Sequence, residues 1–295
     1  MNDPTLPTSA TLSHLVDDPI YEEEEPYEIW ADDLPVNVAR TNVKLEIIPY
    51  CPLTDVRSID EKPQLEKFGF EWMHQDFPHH AGLHSSDCVD LKPREQQNVL
   101  DAYVASMSDF PQEQLKCFQV VCWDWRVRKS LLTKPQKFPT IYSLKDGSPD
   151  FMEKVVSAIA SPQELLEAKS GKYRIRVLTL WRPLVDVVKT NPLVCCDTRT
   201  VKDTDLDVVQ KVMDDTVEEG MYLKWNKDHR WYWQSDQTRD DVLVMTVWDS
   251  RRPTTKHVAV PHVTMVLPVP LSGAQPRESI ELRYVVWNGT GQHLS

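Results

Sequence analysis

The chain has 295 residues, 41% hydrophobic and 26% charged, with eight Gly, ten Trp and a net charge of −12. That length allows one large domain with a substantial core, and the scarcity of glycine, with neither GxGxxG nor GxxxxGK(S/T), argues against the usual phosphate-cradling loops. The acidity sits in residues 1–39, which hold ten acidic residues and no Lys or Arg; the rest carries 33 basic and 35 acidic side chains, so the body offers no basic stripe for nucleic acid.

In chain order, residues 1–39, including Glu22 to Glu25, read as an acidic, flexible arm. An arm packed across a partner subunit in a homodimer is the alternative. No signal peptide is legible and no stretch approaches the ~18 apolar residues of a membrane span, so a cytoplasmic protein with no membrane partner is expected. Six Cys without CxxC spacing then read as free, mostly buried thiols.

Residues 40–295 read as a single domain. Residues 43–50 alternate as a strand, 92–110 place Val99, Leu100, Tyr103, Val104 and Met107 on one helical face, and 116–127 are strand-like. Residues 150–160 have helical spacing, and 161–171 carry a Ser161 cap, Pro162 at the first helical position, Glu164 for a capping box and Gly171 to close. Strands follow at 173–181, 221–225, 230–234, 241–248, 257–266 and 280–287. Early helices followed by short strands predict an α+β domain built on an antiparallel sandwich or barrel.

Several segments in order carry a resemblance: LTLWRPL (178–184), NPLVCCDTRTV (191–201), WNKDHRWYW (225–233), VWDS (247–250), VPHVTM (260–265) and PRESIELR (276–283), preceded by FGFEWMHQDF (68–77). From about residue 40 onward the chain resembles the family containing the cephamycin 7-alpha-methoxylation protein CmcJ, AsaB-like proteins and the fungal gibberellin GA4 desaturase. The resemblance implies a double-stranded β-helix (jelly roll) with an iron(II)/2-oxoglutarate site, used in secondary metabolism. In such a site two imidazoles and a carboxylate hold one face of the iron, and an arginine makes a bidentate contact to the cosubstrate. The resemblance assigns the distal metal ligand to His262 and the cosubstrate arginine to Arg277, with Ser279 adding a hydroxyl.

The first His-x-Asp departs from the family. Aligning Ser148-Pro149 puts Asp146 on the ligand aspartate, Leu144 on the ligand histidine and Lys145 between them. No His occurs between His84 and His229, and His74-Gln75-Asp76 reads as a polar surface loop in a segment with its own family counterpart. Arg182, Asp197 and the group His229-Arg230-Trp231 match the family and could brace the barrel. The aromatic excess, Trp225 included, could line an apolar pocket or be core.

Three functions are consistent with these residues. The first is a natural-product enzyme with no cofactor, its iron site lost, catalysing a cyclisation, isomerisation or pericyclic step on a polyketide or terpenoid. Its catalytic residues would be His262, Arg277 and Asp146, and Leu144, Lys145, Trp225, His229 and Ser279 would contact the substrate. The second is an active oxygenase using iron(II), held by Asp146 and His262, and 2-oxoglutarate. The third is a non-catalytic scaffold. No GxSxG, HExxH or Cys-based signature competes.

Overall fold

A computed structural model describes residues 6–31, 34–77, 83, 93–129, 144–145, 147–265 and 275–289. In chain order the main elements are β1 (Ser9–Leu15), β2 (Tyr27–Ile29), β3 (Leu45–Asp55), α1 (Leu65–Phe68), β4 (Phe70–His74), α2 (Pro93–Leu115), β5 (Cys117–Lys129) and β6 (Leu144–Lys145). They continue as α3 (Pro149–Ile159), α4 (Pro162–Lys169), β7 (Tyr173–Pro183), β8 (Leu193–Cys196), β9 (Leu206–Val212) and β10 (Val217–Leu223). The chain then forms β11 (Trp231–Trp233), β12 (Asp241–Asp249), β13 (His262–Thr264) and β14 (Glu278–Gly289).

The strands form two sheets, in the orders β1-β3-β11-β8-β13-β6-β10-β9-β2 and β4-β12-β7-β14-β5. A bridge from Leu15 to Lys224 brings edge strand β1 back against the end of β10, so the nine-stranded sheet is nearly closed. This is the jelly roll with flanking helices that the sequence predicts. Pairing is antiparallel except for β11 on β3 and β2 on β9.

Period-two alternation assigns each face. On the five-stranded sheet, Leu178, Leu180, Val242, Val244, Ile280 and Leu282 pack beneath α2 through Tyr103, Met107 and Phe110. The opposite face contributes Trp181, Leu243 and Met245, which meet Leu193 and Cys195 of the nine-stranded sheet. The remaining face of the nine-stranded sheet buries Leu12, Val194, Cys196, Trp231, Trp233 and Val263 together.

Two expectations are corrected. The N-terminal arm is built into the fold: β1 pairs with β3, β2 pairs with β9, and Leu12 and Leu15 are buried because they complete the apolar faces of these sheets. Among the described residues of the arm, Glu22 to Glu25 form the exposed acidic run that composition suggested. The strand expected over 257–266 shrinks to His262–Thr264, since 256–258 is a 3-10 turn and Pro261 has no N–H to give a ladder. The five described cysteines are free, and four of them are buried.

Candidate functional site

The site begins at β13, which runs between β8 and β6. Its residue His262 lies opposite Cys195 on one side and opposite Leu144 on the other. Val263 belongs to the cluster on the far side of the sheet, so alternation turns His262 and Thr264 toward the five-stranded sheet. The His262 Nδ1 lies 3.1 Å from the Val260 carbonyl oxygen. A carbonyl can only accept, so in the neutral ring Nδ1 carries the proton and Nε2 holds the lone pair.

Arg277 enters the same space from the start of β14. It is 4% exposed, and its Nη1 donates to the Thr264 hydroxyl at 3.1 Å and to the Asn191 carbonyl at 3.2 Å. The guanidinium carbon lies 5.6 Å from the Trp181 ring centroid. Asn191 presents that carbonyl from a turn at φ 51, a left-handed conformation that Asn tolerates. The Arg277 backbone N–H is held by the Thr190 hydroxyl at 3.1 Å.

The electrostatics of Arg277 are unusual. Among the described residues no carboxylate makes an ion pair with it, and its Nε is buried without a hydrogen-bond partner. Burial pulls the guanidinium down to about 10, partly offset by the more distant Glu281 carboxylate and reinforced by Arg128. Two residues on, the Ser279 hydroxyl is also fully buried and unpartnered. Buried polar groups are normally satisfied, and these two atoms have no partner among the described residues.

Ser279 opens a polar stripe on β14. Ser279, Glu281 and Arg283 pair in register with Arg128, Arg126 and Asp124 of β5. Arg128 Nε donates to Glu281 at 2.8 Å, and Arg283 pairs with Asp124. The stripe ends at a polar cleft lined by Asp124, Arg126, Gly147, Glu218 and Arg283. A period-two reading of RESIELR could have found this stripe, because R, S, E and R recur at every second position. Thr264, Asn191 and Trp181 had no such signal, since their role comes from contacts between distant segments.

The other expected site residues lie elsewhere or outside the described residues. Asp146 is outside them, and Leu144 and Lys145 are placed by backbone register alone, opposite Tyr222 and Met221 of β10. His229 is buried at a different cluster, its Nε2 3.1 Å from Asp205 Oδ2. Trp225 is 47% exposed, and Trp231 and Trp233 are core. Arg182 clamps Gln75, and Asp197 caps a 3-10 turn and pairs with Arg199. His74 Nε2 lies 3.4 Å from Asp76 Oδ1, both side chains exposed.

Residues 15–287 match the family described as an oxidoreductase/YMDC permease-like domain. The alpha-ketoglutarate-dependent dioxygenase phiK of Fungal sp. is 25% identical over 266 residues, covering 87% of this chain and 89% of the relative. The hydroxylase/desaturase efuI of Hormonema carpetanum is 25% identical, covering 72% of this chain and 76% of the relative. Among solved structures, the iron and alpha-ketoglutarate-dependent endoperoxidase NvfI superposes with a TM-score of 0.76 at 20% identity, covering 95% of this chain and 98% of that one.

Proposed function

This chain belongs to the oxidoreductase/YMDC permease-like domain family, and on that premise we propose that it is a natural-product biosynthetic enzyme whose oxygenase scaffold catalyses a redox-neutral step. The relatives are iron/2-oxoglutarate-dependent oxygenases. The sequence favours one of those two groups over the other. Arg277 Nε and Ser279 Oγ, buried and unpartnered, suit the carboxylate end of 2-oxoglutarate.

The iron does not fit the same way. The single observation that carries the proposal is the register of β13 and β6, which sets Leu144 opposite His262. Leu has no lone pair, so the position where the family alignment expects the second imidazole gives no donor. One imidazole and one carboxylate, Asp146, would hold iron weakly, given that even the loss of an outer-shell partner costs about 10–100-fold in affinity.

The chemistry then rests on positioning and proton movement. Arg277 and Ser279 hold a polar group of a polyketide or terpenoid substrate, Trp181 walls the space, and His262 Nε2 accepts or returns a proton. A cyclisation, isomerisation or pericyclic step needs nothing more. The test is turnover of the substrate in chelator-treated buffer. The product should have the mass of the substrate; loss of activity on chelation, restored by iron(II), would overturn the proposal.

An active iron(II)/2-oxoglutarate dioxygenase is the second reading, favoured by the retained Arg277 and Ser279 pair. It requires a further donor to occupy the place opposite His262.

A further inference from the structure

We propose that the basic groove beside Trp225 seats the acidic run Glu22 to Glu25 of a second copy of this chain, and that two copies pair reciprocally in this way about a two-fold axis. The inference stands apart from the catalytic reading and draws on none of the residues around Arg277.

Two turns build the surface. The turn between β10 and β11, residues 224–230, packs on the 3-10 turn Asp203–Asp205. The Lys224 N–H donates to the Asp205 carbonyl at 2.8 Å, and Asn226 Nδ2 and His229 Nε2 reach the Asp205 carboxylate at 3.3 and 3.1 Å. The ridge pinned in this way lines two open grooves of opposite sign. One presents four cations, Arg199, Lys202, Lys227 and Arg230, against the single carboxylate of Asp228. The other presents five carboxylates, Asp17, Glu22 and Asp203 among them, against Lys224 and Lys256. Trp225 lies on the ridge, between Lys224 of the acidic groove and Lys227 of the basic one, and is 47% exposed.

An exposed tryptophan ringed by charge has the makeup of an interface core with its polar rim. The charges say what fits there. Lys202, Lys227 and Arg230 are exposed and make no ion pair among the described residues, so an acidic surface is their complement. This chain displays such a surface on the other side of the same ridge. Glu22, Glu23 and Glu24 are exposed, make no ion pair among the described residues, and continue the acidic groove. Patches of opposite sign side by side on one face are self-complementary under two-fold rotation. An axis through the ridge lays each acidic run on the cations of the other copy and brings the two Trp225 side chains together at the centre.

The mass of the full chain in solution tests this, by sedimentation or light scattering over about 1–100 μM protein. The mass should rise from 34.2 kDa to twice that value and stop there, because a two-fold contact closes on itself. Raising salt from about 0.1 M to 1 M shortens the screening length from about 10 to 3 Å and should weaken the pairing at least 10-fold. Trp225→Ala should weaken it by about 10-fold or more. Lys227→Glu with Arg230→Glu should give a monomer, and so should Glu22→Lys with Glu24→Lys. All four positions are exposed, and circular dichroism checks that the variants fold. Mixing the two charge-reversed proteins should restore a dimer, since every contact again joins opposite signs. A mass of 34.2 kDa at every concentration and salt would overturn the proposal. So would a dimer that both charge reversals leave intact, or a mass that keeps growing past two copies.

Discussion

His14 shows how much one buried side chain can set. It sits on β1 at 1% exposure, edge-on to Trp231 with ring centroids 6.0 Å apart. Burial first, and the neighbouring His229 second, pull its imidazole down from 6.5 to about 4, with the Leu12 backbone pulling slightly the other way. The unfolded chain therefore takes up a proton near pH 6.5 that the folded chain refuses until about pH 4, so stability falls as pH drops through that window and levels off below it. The full loss is roughly 3 kcal/mol. Denaturant titrations across this range should show that slope in the native chain and a flatter one in His14→Phe; equal slopes would remove His14 as the cause. This role was not legible beforehand, because His14 lies in a segment whose acidic composition suggested solvent. Arg277, Ser279 and His262 were legible by resemblance. Their partners Thr264, Asn191 and Trp181 were not, since a hydrogen bond across 13 or 86 positions leaves no local pattern.

At the scale of elements, local signals worked where they were complete. The capping box at the start of α4 forms as read, with Ser161 Oγ accepting from the Glu164 N–H at 3.2 Å and Glu164 accepting from the Ser161 N–H at 2.7 Å. Helix α2 runs past the expected end at 110 to Leu115 despite Pro111, because Met107 and Phe110 are buried against the sheet, and it stops where Lys116 turns left-handed at φ 56. Tertiary burial overrode a local breaker there. The same override explains β1: acidic neighbours hid a strand whose Leu12 and Leu15 are 0% and 1% exposed. Removing residues 1–16 should therefore cost roughly 3–6 kcal/mol, from the lost burial of two leucines and the newly exposed edge of β3. Chemical denaturation of the truncated chain measures this directly. An unchanged midpoint would mean that the arm is dispensable, as composition alone suggests.

For the whole molecule, the two-sheet architecture was legible from the order of helices and strands, and the jelly roll from the resemblance. The architecture brings β13, β6 and β14 together so that His262, residue 144 and Arg277 share one neighbourhood. That arrangement carries the central proposal, that the scaffold keeps the arginine–serine pair and has lost a metal-ligand position. A scaffold protein with no chemistry would have little use for a buried guanidinium that makes no ion pair among the described residues and is only partly offset by Glu281. The most direct measurement is an anaerobic titration of metal-free protein with iron(II) and 2-oxoglutarate, following the visible charge-transfer band of the chelate, in the native chain and in Leu144→His. The account predicts no band in the native chain and its appearance in Leu144→His, where an imidazole returns to the position opposite His262. A band of full intensity in the native chain would contradict it and identify an iron(II)/2-oxoglutarate oxygenase.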